Sequence, residues 1–320
     1  MKIRKLWHLN EHDSAIKEDD LTLPSPGKYL IKSLYSFVSQ GTERLVATGM
    51  AGNPDMERFM SVPHMEGTFS LPCTYGYSLV GEILTDQLTG TGRIVHALHP
   101  HQDYLVLGEQ DFTEISNTLP PTRATLISNM ETAVNAIWDS GMSIGDKVLV
   151  VGYGSIGALI ARLAHNLGGT RVFIAEENES RKMAAIEAGY LPYDETEKYD
   201  LAFNTSGHQN GLQTCIDTTR FEGTIVEMSW YGEKKVSLSL GSSFHYDRKK
   251  IISSQVSNIP RNRTAGWDFY RRKMTVTDLL KDPFYDTLIT STISFEDTPA
   301  FFARLRAGAV NDIGTIIKYS

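Results

Sequence analysis

Cysteine is nearly absent from this 320-residue sequence: only Cys73 and Cys215 occur, in unrelated contexts. Two isolated thiols give neither a disulfide framework nor a cysteine zinc knuckle, and they fit a reducing cytoplasm. Each reads most simply as a small buried apolar residue. No run approaches the roughly 18 apolar residues that span a bilayer. The opening MKIRKLWHLNEHDS has basic residues but no apolar stretch behind them, so no secretory signal is expected. Positive charge is also in short supply. With 31 Lys and Arg against 38 Asp and Glu, the formal charge is −7, which argues against nucleic acid or an anionic membrane as the main partner, since both require a basic face. A small-molecule substrate is the expected partner.

What is present is ordinary globular material, 41% hydrophobic and 22% charged, in a chain long enough for two domains. Residues 1 to about 120 hold short β-like runs broken by turn signals, among them KYLIKSLYSFVSQG, SLVGEIL, RIVHAL and DYLVLG. From about 124 to 260, apolar strands alternate with helical patterns, as parallel βαβ units do. The tail returns to mixed character, with a helical GWDFYRRKMTVTDLLKDP and short strands near Leu288-Ile289 and in TIIKYS. An α/β middle between β flanks predicts an insertion topology.

The central motif is GYGSIG at 152 to 157, directly after the apolar KVLVV. Apolar positions Ile156, Leu159, Ile160, Leu163, Ala164 and Leu167 then fall on one helical face, and Gly168-Gly169 is expected to end the helix. A second strand, RVFIA, finishes at Glu176. Strand, glycines, helix, strand and acid appear in the order of a dinucleotide-binding unit. Gly152 permits the tight turn, Gly154 lets backbone approach a pyrophosphate, and Gly157 allows close helix–strand packing. Ser155 and Ile156 sit where the helix offers its free N–H groups to phosphates. Glu176 can bond a ribose diol and would repel a 2′-phosphate, which favours NAD over NADP; Arg181 keeps NADP open. Further strands are expected in DLAFNTSG, GTIVEMSWYG and KKIISSQV. Ligands of such sheets lie beyond the C-terminal strand ends, so Asn204, Ser206, Gly207, Ser229 and Trp230 are candidates to face the cofactor. The same residues serve equally as turn formers.

With its β-rich start, NMETAVNAIWDSGMSIGDKVLVVGYGSIG and a short C-terminal return, the chain resembles the medium-chain dehydrogenase/reductase superfamily of zinc-type alcohol, sorbitol and threonine dehydrogenases. SQGTERLVATG, TYGYSLVG, HPHQDYLV, SWYG and SSQV are most similar to the branch near bacteriochlorophyllide a dehydrogenase. The resemblance implies an α/β fold: a doubly wound parallel Rossmann sheet at 124–264, and a β-rich GroES-like catalytic domain at 1–123 and 265–320. It also implies a homodimer. Where zinc members place Cys, His-Glu and a third ligand, this sequence has Gln40, Tyr77-Ser78 and Ser128. Gln, Tyr and Ser are poor zinc ligands, and no cysteine cluster exists for a structural zinc, so no metal is expected.

Hydride transfer to a carbonyl builds negative charge on oxygen, which a donor must neutralise. Tyr77 stands at the family's metal-binding His position and is the first candidate acid; simple packing is its competing reading. Thr42 matches the family's proton-relaying hydroxyl, with Glu43 and Arg44 beside it, and Thr132 matches a position near the nicotinamide. HALHPHQDY concentrates His96, His99 and His101, but alternation along a strand separates such side chains. His101 is a candidate proton shuttle and His99 reads as a solvated loop residue. Glu131 reads as a helix-dipole residue. RKKIISSQVSNIPRNRTAGWDFYRRK is an Arg-rich stretch that suits either an anionic substrate or solvent. Together these features predict a zinc-independent NAD(P)-dependent dehydrogenase or reductase acting on an alcohol/carbonyl pair between two domains. Reduction of a conjugated C=C bond and nucleotide binding without turnover are the alternatives.

Overall fold

The computed structural model describes residues 1–85 and 88–320. The chain divides into two compact units: Met1–Ser128 with Thr277–Val310 and Gly314–Ser320, and Asn129–Val276 with Asn311–Ile313. The divisions read from sequence, after 123 and after 264, thus sit against observed ones after Ser128 and Val276. Most of the helix Phe269–Leu279 stays with the second unit, where Arg272 is buried against Glu131 and Asn135.

The second unit is built on six parallel strands. Their spatial order is Leu191–Pro192, Arg171–Ala175, Lys147–Val151, Tyr199–Asn204, Thr219–Glu227 and Lys250–Ser253. This is the doubly wound order 3-2-1-4-5-6, whose direction reverses beside Lys147–Val151. Fully parallel strands are covered on both faces, which is why KVLVV and LAFN read as continuous apolar runs and are buried. The helix Ser155–His165 buries Ala158, Leu159, Ile160, Ala161 and Ala164. It ends at an Asn166 cap rather than at Gly168-Gly169, with Gly169 taking φ +75° just beyond.

The first unit contains a two-stranded ribbon, Lys2–His8 with Ser14–Asp20, and a larger sheet. That sheet runs Ser291–Ser294, Thr315–Lys318, Lys28–Val38, Leu79–Leu84, Gly90–Ala97 and Phe112–Glu114, with Tyr104–Gly108 also on Lys28–Val38. All pairings are antiparallel except the first. The strand expected near Leu288-Ile289 lies slightly later, because Pro283–Leu288 is a 3-10 turn started by Asp282. One core packs Leu6, Val38, Phe295, Phe301, Phe302 and Ile317, and another packs Ile31, Leu79, Ile83, Val95 and Leu105. Two short helices, Gln40–Ala47 and Pro54–Met60, interrupt a region read from sequence as β. Among the described residues, no helix is long and apolar enough to cross a membrane.

Gly157 is the tightest point of the turn after Lys147–Val151: a Cβ there would stand 2.0 Å from the Gly152 carbonyl and 2.7 Å from Thr205 Oγ1. Gly157→Ala is expected to destabilise the protein by about 1–3 kcal/mol through overpacking, read from urea unfolding. An unchanged midpoint would mean that the turn relaxes freely.

Candidate functional site

The glycine turn lies at the C-terminal end of Lys147–Val151. Gly152 adopts φ +93°, which favours glycine, and abuts Thr205 and Ser206. Thr205 lies across the junction, its hydroxyl donating to the carbonyls of Val151 and Gly152 at 3.0 and 2.9 Å. Gly154 caps the helix, and a Cβ there would meet only the Arg181 guanidinium, at 3.8 Å. The first helical hydrogen bond is Ala158 N–H to Gly154 O, so the N–H groups of Ser155, Ile156 and Gly157 precede the ladder. These groups and the positive end of the dipole are therefore chemically suited to an anion.

Two charged groups flank the turn. Glu176 follows the end of Arg171–Ala175, and its carboxylate accepts from Tyr153 N–H at 2.7 Å and Asn178 N–H at 2.8 Å. Each oxygen keeps a second lone pair for a ligand hydroxyl. Arg181 donates to the Asn311 and Asp312 carbonyls at 3.0 and 2.8 Å, which hold its guanidinium beside Gly154.

The other strand ends are tied to one another. Asn204 is fully buried, donates to Glu227 Oε2 at 2.8 Å and to Tyr231 OH at 3.1 Å, and accepts from Ser206 Oγ at 2.7 Å. Glu227 also accepts from Ser229 N–H at 2.7 Å, and Ser229 Oγ accepts from Gly207 N–H at 3.0 Å. Burial first, then Glu227, pushes the Tyr231 phenol up to about 12. Asn204 therefore orders the loops, while Ser206, Gly207, Ser229 and Trp230 are at least partly exposed. Glu227 and Tyr231, which complete this network, lie in GTIVEMSWYG but were not among the candidate site residues. Thr132 is half-buried on the helix Ile127–Ser140. Glu131 on that helix is not a dipole residue: it is buried against Arg272 Nε at 3.3 Å and Lys273 Nζ at 2.5 Å. Those two cations share this one carboxylate, while Arg263 and Arg271 lie over the rings of Trp138 and Trp267. Of the basic residues in the Arg-rich stretch, Lys249 and Arg272 are buried, whereas Arg248, Lys250, Arg261, Arg263 and Arg271 are exposed.

In the first unit, the half-buried Tyr77 phenol donates to Ser39 Oγ and shares a hydrogen bond with Thr42. Burial pushes it up to about 12, with Glu43 adding and both hydroxyls opposing. Ser39 precedes the helix Gln40–Ala47 without capping it through its side chain; Glu43 Oε1 reaches back to accept Ser39 N–H at 2.7 Å. Glu43 Oε2 lies 2.9 Å from His101 Nε2, His101 Nδ1 lies 2.8 Å from Ser36 Oγ, and Ser36 Oγ lies 2.9 Å from Tyr319 OH. Glu43, His101 and Ser36 are all completely buried. His101, the candidate proton shuttle, is thus an interior residue hydrogen-bonded to Glu43. Ser39, Ser36 and Tyr319 gave no signal in the sequence.

The residues standing at zinc-ligand positions are chemically committed. Ser78 Oγ donates to Thr125 O at 2.6 Å and Ser128 Oγ to Tyr77 O at 2.9 Å. His96 Nε2 lies 3.0 and 3.3 Å from the same two hydroxyls, so it carries the proton that both accept. Gln40 Nε2 donates to Thr315 Oγ1 at 3.4 Å. Two serines, an amide and a phenol in this arrangement do not fit Zn²⁺, which takes thiolate, imidazole and carboxylate. Among the described residues, no group of three His, Cys, Asp or Glu could hold a metal ion. The three histidines of HALHPHQDY diverge. His99 is buried rather than solvated, with Nδ1 2.9 Å from Pro100 O and its ring stacked on His64 at 5.0 Å.

With this geometry in view, comparisons with known proteins are informative. No family model matches the chain. The (R,R)-butanediol dehydrogenase of Bacillus subtilis (strain 168) is 22% identical over 339 residues, covering 91% of this chain and 92% of that enzyme. The chain is similar to zinc-type alcohol dehydrogenase-like proteins of the medium-chain dehydrogenase/reductase superfamily. The D-guloside 3-dehydrogenase of Escherichia coli (strain K12) is 23% identical over 184 residues, 52% of this chain and about half, 53%, of that enzyme's length. An alcohol dehydrogenase structure from E. coli CFT073 complexed with NADH shares the fold with TM-score 0.75 and 16% identity, covering 99% of each chain.

Two buried imidazoles make stability pH-dependent. Burial, then Arg306, lowers His8 from 6.5 to about 3, and burial lowers His99 to about 4. Below pH 6.5 the unfolded chain binds protons that the folded chain refuses, so their contribution is complete above that pH and lost as pH falls toward those lower values. Each histidine adds up to about 1.4 kcal/mol per pH unit to the slope. His8→Gln is expected to flatten the stability–pH curve between about pH 4 and 6 by close to one proton; urea unfolding at several pH values would read this, and an unchanged slope would refute it.

Proposed function

We propose that this chain is a nicotinamide-nucleotide-dependent oxidoreductase that interconverts an alcohol and a carbonyl without a catalytic zinc. The glycine turn carries the reading: Gly152, Gly154 and Gly157 at the switch point of a 3-2-1-4-5-6 sheet form a built cradle for a dinucleotide diphosphate. Ser155, Ile156 and Gly157 would bind the phosphates through backbone N–H groups. Glu176 would take the adenosine ribose, favouring NAD, and Arg181 beside Gly154 gives NADP a second claim. When bound, the nucleotide supplies or accepts the hydride.

The chain's own residues manage the proton. Tyr77 is held by Ser39 and Thr42, and Glu43 disfavours the phenolate, so the phenol stays protonated. A protonated phenol can donate to the oxygen of a carbonyl that has gained hydride, and the alkoxide, being the stronger base, takes that proton. Thr42 and Ser39 then stabilise the phenolate by donating to it until it is reprotonated. Glu43 and His101 act behind them as positioning residues.

Tyr77→Phe keeps the ring that meets Tyr75 edge-on and removes the donor. With NADH and a panel of aldehydes and ketones, it is expected to leave NADH affinity within about twofold while lowering kcat roughly 10²–10³-fold. Full turnover in this variant would remove Tyr77 from the chemistry. Dialysis against a chelator is expected to leave wild-type activity unchanged, and loss of activity restored by Zn²⁺ would overturn the metal-free reading.

A further inference from the structure

Asn129 opens the nucleotide unit, near the start of the helix Ile127–Ser140. It is completely buried, and its side chain meets Ser155, the first residue of the helix after the glycine turn. Asn129 Nδ2 donates to Ser155 Oγ at 3.3 Å, while Oδ1 finds no hydrogen-bond partner among the described residues. A buried amide oxygen is normally paired. Leaving it unpaired is costly, so an apolar side chain would suit a purely structural position better. The amide's other end has been used to reach one hydroxyl.

We propose that Asn129 is a positioning residue for the dinucleotide diphosphate, acting through Ser155; this rests on the reading that the glycine turn takes a dinucleotide. A serine hydroxyl has one proton and two acceptor positions. With Asn129 N–H filling an acceptor position, the Ser155 proton turns away from Asn129 and joins the N–H groups of Ser155, Ile156 and Gly157 as a donor to an anion. The reverse amide orientation would draw that proton inward, onto Oδ1, and withdraw a donor from the phosphate. Hydrogen bonds to charged groups are stronger than neutral ones, so the orientation gains most when the ligand is present. An aspartate of the same shape would accept the Ser155 proton and add negative charge behind the cradle.

The test is calorimetric titration of the full chain with ADP and with NADH. The proteins are wild type, Asn129→Asp, Asn129→Ser, Ser155→Ala and the Asn129→Ser/Ser155→Ala double variant, each with its Tm recorded. Asn129→Asp is expected to weaken ADP and NADH by roughly tenfold or more, and Asn129→Ser by about three- to tenfold. The double variant is expected to bind no more weakly than Ser155→Ala alone, since a residue that acts through Ser155 has nothing left to position. Losses that multiply in the double variant, or Asn129→Asp binding ADP as wild type does, would overturn the proposal. If both Asn129 variants fail to fold, Ser155→Ala decides: undiminished ADP affinity there also overturns it. Wild type binding neither ADP nor NADH would remove the dinucleotide reading itself, whereas wild-type binding with indifferent Asn129 variants removes only the role given to Asn129.

Discussion

The contact between Gly157 and the carbonyl of Gly152 governs the second, parallel-sheet unit. No side chain fits between them, so the helix begins within backbone contact of the strand that precedes it. That closeness aims the helix's unladdered N–H groups past the strand end, where an open parallel sheet leaves its crevice. It also puts Thr205, from the neighbouring strand's end, across the turn, and brings the Glu176 carboxylate to Tyr153 N–H. Three strand ends are thereby locked to one glycine turn.

The first unit is organised around buried polar groups rather than a turn. Glu43 takes the Ser39 backbone N–H, and the Ser39 hydroxyl, which would otherwise cap the helix, is left for Tyr77. Behind Glu43, His101, Ser36 and Tyr319 continue the line into the core. Hydroxyl, imidazole and carboxylate in series invite comparison with a hydrolase triad, but all three are closed to solvent. Their effect is geometric. Removing one partner of such a buried pair costs about 3–5 kcal/mol, so few arrangements of Tyr77, Ser39 and Thr42 compete with the one observed.

The nucleotide unit was legible in the sequence because its signals are local. KVLVV, the glycines, RVFIA and Glu176 lie within 30 residues, and each follows from steric or periodic rules. Tyr77 and Thr42 were legible only through resemblance, as substitutions at family positions. The partners that give them meaning were not: Ser39, Ser36, Tyr319 and Glu227 reach their contacts through long-range pairing, and nothing in a serine's neighbours announces which strand it will meet. The helix Gln40–Ala47 was hidden by its setting, since Ser39 before it, Glu43 in its first turn and Gly49 beyond its end read equally as turn residues between strands. His99 misled because a Pro-flanked histidine reads as loop, although the stacking of His64 shields it. Asn129 carries no local signal, and the charged neighbour that does, Glu131, is paired with Arg272 and Lys273.

The two serine hydroxyls gathered on His96 have a consequence for how the protein comes into being. A metal centre joins segments only once an ion has been supplied, and its ligands must first lose their protons. Here the same neighbourhood is joined by Ser78, Ser128 and His96, through bonds whose donors and acceptors all arrive with the chain itself. This region is therefore finished when its backbone is folded. The bonds among Ser78, Ser128 and His96 themselves need no ion.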